Sequence, residues 1–157
     1  MPICKPAEIK GKLARGQPVL GLDLGTKTIG VAISDVGLMI ASPLLTLKRK
    51  KFSQDYAELN KIIQDRDVGA LVIGLPVEMS GAEGPRAQSA RAFAAEVLKR
   101  RDLPVAFWDE RMSTAAVQRM LTDEADLSRK RRAELVDKAA AAYILQGLLD
   151  SIVAPTV

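Results

Sequence analysis

The chain has 157 residues, 48% of them hydrophobic, and a formal charge of +4, which suits one domain with a core of its own. It has no histidine and a single cysteine, Cys4. Serine–histidine and cysteine–histidine catalysis, imidazole-bound zinc and an internal disulfide are therefore excluded, leaving carboxylates, lysine, hydroxyls or bound metal to carry any chemistry.

No segment approaches the roughly 20 apolar residues of a membrane span, and Met1-Pro2-Ile3-Cys4-Lys5 lacks the apolar run of a signal peptide. The expectation is a cytoplasmic, reducing setting in which Cys4 is not catalytic. The basic residues fall into clusters at Lys48-Arg49-Lys50-Lys51, Lys99-Arg100-Arg101 and Arg129-Lys130-Arg131-Arg132. Clusters of this kind suit a polyanion. For any one of them, a solvated loop or helix end is the simpler explanation.

Residues Met1 to Pro18 carry Gly11, Gly16 and Pro18 and read as a peripheral arm with at most a short helix around Ala7 to Arg15. Val19 to Leu24 is then expected as a buried strand, Gly25 to Thr28 as a tight turn, and Ile29 to Ser34 as a strand paired antiparallel to the first. Asp35-Val36-Gly37 marks a further turn. Leu38 to Leu47 gives a third strand, placed at the sheet edge by Pro43. Phe52, Tyr56, Leu59, Ile62 and Ile63 have helical spacing, which predicts a one-faced helix over Phe52 to Asp65.

Gly69 to Leu75 is a continuous apolar run, as in a parallel strand covered on both faces. A polar loop, Pro76 to Gly84, leads to Pro85 at the first position of a helix reaching about Arg101, with Ala90, Phe93, Ala94, Val97 and Leu98 inward. Pro104 to Trp108 is a fifth strand. Ser113 or Thr114 caps a helix to about Leu121, and a last helix covers Arg129 to about Ile152. Three antiparallel strands followed by helix, strand, helix, strand and helix predict an α/β fold: a five-stranded mixed sheet with helices on both faces.

Asp23 stands inside the first apolar strand, where an unpaired charge would cost several kcal/mol. It needs a basic side chain or a metal ion, unless it lies at a frayed strand end bonded to the turn. Ligand crevices in such sheets open at the carboxyl ends of the parallel strands, where Glu110 follows the fifth strand and Asp23 nears the end of the first. Asp137 lies in the last helix, beside a run of alanines that lets the helix approach the sheet closely. Three converging carboxylates repel one another, and Mg2+ or Mn2+ relieves that repulsion. Paired ions of this kind promote phosphodiester cleavage.

The last helix adds a hint. Ser128 would cap a first turn made of Arg129, Lys130, Arg131 and Arg132, a placement disfavoured by the helix macrodipole and favoured by a bound phosphate backbone. Asp123, Glu124 and Asp126 offer a local neutralisation instead.

Four blocks, GLDLGTKTIGVAISD (21–35), VIGLPVEMSGAEGPRAQSARAF (72–93), WDERMSTAAV (108–117) and SRKRRAELVDKAAAAYILQGLLD (128–150), resemble in order and spacing the YqgF (RuvX) family of bacterial ribonuclease H-like proteins, relatives of the Holliday junction resolvases. The resemblance covers Val19 to about Asp150. It implies a ribonuclease H-like nuclease domain over 19–152 with a tail at 153–157. It also implies processing of the 5′ end of the small-subunit (16S) ribosomal RNA precursor or action on branched DNA, and it puts Asp23, Glu110 and Asp137 at the family's acidic positions. Three departures stand out: the arm before Val19 is longer, Asp123-Glu124-Ala125-Asp126 is more acidic, and the resolvases' fourth acidic residue on the last helix is missing, with Glu134 a poor substitute.

On this reading Asp23 bridges the metals and Glu110 and Asp137 each complete a site, with Asp109 the alternative to Glu110 because adjacent strand residues point oppositely. Thr26, Lys27, Arg86, Arg111, Ser80, Gly81 and the basic turn Arg129 to Arg132 are expected at phosphates, and the helix opened by Gly84 and Pro85 presents an amino end suited to an anion. Arg111 has an equal claim to a structural pairing with Asp109. The rivals are an actin-like or sugar-kinase ATPase, disfavoured because such enzymes use two domains of this kind, and a non-catalytic RNA-binding module for ribosome assembly. A proofreading-type exonuclease would need an acidic residue at position 25, which is glycine. The expected partner is nucleic acid, and one apolar helix face against another would support a homodimer.

Overall fold

In the computed structural model the described residues are 3–76, 82–109 and 129–152, with the side chains of the last segment described from Ala139 onward. A 3-10 turn, Pro6–Glu8, runs into α1 (Ile9–Lys12). The order is then β1 (Val19–Leu24), β2 (Thr28–Ser34), β3 (Ala41–Lys48), α2 (Phe52–Asp65), β4 (Ala70–Leu75), α3 (Pro85–Arg100), β5 (Val105–Asp109) and α4 (Arg129–Ile152). The five described strands form one sheet in the order β3-β2-β1-β4-β5. β2 is antiparallel to β1 and β3, and β1, β4 and β5 are parallel.

Alternation along the strands divides the core. Leu20, Leu22 and Leu24 of β1 join Leu71, Ile73 and Leu75 of β4 beneath α2 and α3, which contribute Leu59, Ile63, Ala90, Phe93 and Val97. Val19, Val72 and Ala106 face the other way and pack against Ala141, Ile144, Leu145, Leu148 and Leu149 of α4. Each fully buried Leu or Ile contributes about 1.5–3 kcal/mol. β4 is buried at every position, as its unbroken apolar run requires.

β3 forms the edge. Its register shifts between Val31 and Ala32, where Pro43 stands opposite Ala32 and has no N–H to give. β3 starts three residues later than its hydrophobicity suggests because 35–40 are held as a turn. The Asp35 carboxylate accepts the N–H groups of Met39 (2.8 Å) and Ile40 (3.0 Å), and Leu38 adopts φ 60°. At the far end of β2, Ser34 Oγ accepts the Val19 N–H at 2.8 Å and satisfies the first donor of β1.

The arm is less peripheral than its composition suggests. Ile9 is fully buried against the α4 layer, the Cys4 N–H donates to Val105 O at 2.8 Å, and Ile3 makes a bridge with Val105. The helical part is also shorter than the 7–15 expected, ending at Lys12.

Candidate functional site

Asp23 lies in β1, half-buried, paired across the hairpin with Gly30. By alternation it shares the α4 face with Val19 and Gly21. Gly21 sets the spacing there, since a Cβ on it would lie 2.8 Å from Leu145 Cβ and 3.1 Å from Ala141 O. The helix therefore runs in backbone contact with the strand, which a larger residue at 21 would prevent.

The direction of α4 follows from its other contacts. Gln146 takes the Ala41 N–H at 2.8 Å and donates to Met39 O at 2.9 Å, level with the start of β1, while Ala139, Ala142 and Tyr143 line a shallow cleft with Pro43, farther along β3. Earlier residues of α4 thus lie toward the carboxyl end of β1, where Asp23 stands. Asp137 precedes Ala141 by one turn of α4. Its backbone belongs to α4, and its side chain lies outside the described residues. So do the side chains of Arg129, Lys130, Arg131, Arg132 and Glu134, together with all of Ser80, Gly81, Glu110, Arg111, the 113–121 helix, Asp123, Glu124, Asp126, Ser128 and the 153–157 tail.

Asp109 pairs with Leu75, on the side of the sheet that carries Val105 and Phe107 and is covered by α3. It therefore does not share Asp23's face. Trp108 does, and its buried indole N–H has no hydrogen-bond partner among the described residues; a Cβ on Gly147 of α4 would fall 2.7 Å from Trp108 Nε1. Two glycines, 21 and 147, thus let α4 settle onto β1 and β5.

The turn after Asp23 is closed by the Gly25 N–H to Thr28 O at 2.8 Å and leaves Thr26 and Lys27 exposed. Arg86, in the first turn of α3, reaches Leu24 O at 3.4 Å. The N-cap of α3 is Gly84, which has no side chain to cap it, and the first turn of the helix has no acidic residue. The Glu83 carboxylate, held below its usual range by hydrogen bonds from Arg91, forms a fork with Arg91 at 2.6 and 2.7 Å that secures the chain entering α3.

One residue here was legible only as part of a cluster. Arg49, between β3 and α2, donates Nη1 to Gly25 O at 2.8 Å, and its guanidinium lies 5.9 Å from the Phe93 ring centroid. The cluster at 99–101 is different. Lys99 and Arg100 both pair with Glu96 within α3 at 2.9 Å, while Arg100 stacks over Phe52 and Arg101 bonds Asn60 Oδ1 at 2.8 Å, so the two arginines serve the α2–α3 contact. Among the described residues no three acidic or thiol side chains form a metal-binding group, and of the three expected carboxylates only that of Asp23 is described.

A mixed sheet of this order, with an aspartate near the carboxyl end of its central strand and a long helix laid over it, is the ribonuclease H-like arrangement of the resolvases. The fold is similar to that of T. thermophilus RuvC in complex with a Holliday junction substrate, with a TM-score of 0.56 and 15% identity over 87% of this chain and 96% of that one. The chain belongs to the RuvX family, described as Holliday junction resolvase, which matches residues 17–151. Its relatives include proteins named "Putative pre-16S rRNA nuclease". The one from Rhodospirillum rubrum is 60% identical over 97% of this chain and 94% of its own length. That from Paramagnetospirillum magneticum is 61% identical over 96% and 97%.

Proposed function

We propose that residues 19–152 form a metal-dependent nuclease domain that processes the 5′ end of the 16S ribosomal RNA precursor in the cytoplasm. The observation that carries this reading is the position of Asp23 on the α4 face of β1, with Gly21 allowing the helix to approach and Asp137 one turn from the point of contact. A half-buried carboxylate at that place fits an oxygen-ligated divalent cation, and Asp23, Glu110 and Asp137 would hold it, Mg2+ or Mn2+ being the ions such donors favour. When bound, the ion supplies a water of lowered pKa and charge to stabilise the leaving oxygen. Glu110 is preferred to Asp109 because Asp109 faces α3.

The chain's own groups bind and orient the substrate. Thr26 and Lys27, exposed on the turn, are placed for phosphate contacts, Arg86 lies beside them, and Arg111 and the basic turn Arg129 to Arg132 would extend the track. Nucleic acid is the partner this supports. The apolar side chains of α4 from Ala139 onward are largely buried against the sheet, so a homodimer would have to form through another surface.

Purified protein incubated with Mg2+ or Mn2+ should cleave a precursor 16S RNA in preference to unrelated single-stranded RNA and four-way DNA junctions, and Asp23→Asn should abolish cleavage. Preference for the junction would make the protein a DNA resolvase. Unchanged cleavage by Asp23→Asn would remove the site as proposed, and binding without cleavage by any metal-loaded form would favour an assembly factor.

A further inference from the structure

We propose that Arg49 and Arg86 form a two-guanidinium clamp for a phosphodiester group of the substrate adjacent to the one cleaved, a role that rests on the nucleic-acid reading above. The two side chains come from separate elements, the β3–α2 link and the first turn of α3, and reach the carbonyls of consecutive residues, Gly25 and Leu24, which follow Asp23 directly. Neither has an acidic partner among the described residues. Among the described residues each guanidinium gives one of its five N–H groups to a carbonyl. A phosphate matches the planar fork of each arginine, and bidentate pairing of this kind is among the stronger polar contacts a guanidinium makes.

Arg49 is also held in advance of any ligand. Its backbone N–H donates to Lys27 O at 2.9 Å, and the N–H of the next residue, Lys50, donates to Asp55 Oδ1 at 2.9 Å. Asp55 is only 2% exposed and anchors this loop to α2. The half-buried Arg49 stem beside Phe93 completes the restraint. A loop solvated for its own sake needs neither tether. A side chain ordered before binding loses less entropy when the ligand arrives.

Fluorescence anisotropy with a labelled RNA oligonucleotide spanning the precursor boundary tests this, using Asp23→Asn protein across a series of salt concentrations. Arg49→Ala and Arg86→Ala should each weaken binding about ten-fold and make the slope of log affinity against log salt shallower by about 0.7. Arg49→Lys, which keeps charge without the fork, should keep the slope and lose part of the affinity. Thermal unfolding of each variant identifies any that fail to fold, in which case Arg49→Lys decides. Folded Arg49→Ala that binds with the parent affinity and slope overturns the clamp, as does Arg49→Lys with unchanged affinity. Cleavage by the wild type alongside such a result leaves the nuclease reading intact. Failure of the wild type to bind nucleic acid overturns both.

Discussion

Gly21 and Leu145 meet where β1 passes beneath α4, so closely that a side chain on the glycine would set its Cβ 2.8 Å from Leu145 Cβ. The obstacle is the root of a core side chain and, at 3.1 Å, the Ala141 carbonyl, neither of which can swing aside. Gly21→Ala should therefore destabilise the protein by about 1–3 kcal/mol, as overpacking does. It should also lower cleavage by more than the loss of folded protein, because α4 carries Asp137. Urea unfolding and turnover at matched folded fraction measure the two effects.

Gly147 makes the equivalent allowance for Trp108, whose indole nitrogen a Cβ would approach to 2.7 Å. Gly147→Ala alone should cost about 1–3 kcal/mol. Trp108→Phe removes both the colliding atom and a buried N–H that has no partner among the described residues, so the double variant should recover part of that loss. A double-mutant cycle should give a coupling of about 0.5–3 kcal/mol, and strict additivity would show that the two residues do not share a contact.

The Asp35 carboxyl is held below the usual aspartate range by hydrogen bonds from the Ile40 and Met39 N–H groups. A carboxyl lowered on folding adds stability that is complete above its unfolded pKa and lost as pH falls through the lowered folded value. In thermal melts on the acid side, the wild type should thus converge on Asp35→Ala as pH drops. Between mildly acidic and neutral pH the gap between them should stay constant.

Asp55 accepts the Lys50 N–H and is buried in doing so. Asp55→Ala should cost about 1–3 kcal/mol by leaving that donor unsatisfied, and it should weaken RNA binding by freeing the Arg49 loop. Asp55→Asn retains an acceptor and should restore most of both, which stability curves and anisotropy would record side by side.

Much of the fold could be read from the chain because its signals are local and periodic. Phe52 to Asp65 emerges as α2 with its expected bounds, and the Gly69 to Leu75 run becomes β4, short of its first glycine. The misreadings have equally local causes. Leu38, Met39 and Ile40 look like strand residues, yet Asp35 folds them into a turn, leaving Met39 59% and Ile40 61% exposed. Ile9 gives no sign in a polar arm that it fills a gap in the α4 layer. At the site, the place of Asp23 was legible because a lone charge in an apolar strand stands out. Arg49 was not, because a cluster of four basic residues does not reveal which one turns inward to Gly25 O. That depends on the path of the link between β3 and α2, which only the assembled sheet defines.

We propose that Asp23 shares a divalent cation with Glu110 and Asp137. Titration of Mn2+ into the protein, followed by loss of the free-ion electron paramagnetic resonance signal, tests it most directly. The wild type should bind Mn2+, and Asp23→Asn, Glu110→Gln and Asp137→Asn should each lose that binding while remaining folded. Folded variants that take up Mn2+ with wild-type affinity would contradict the shared site.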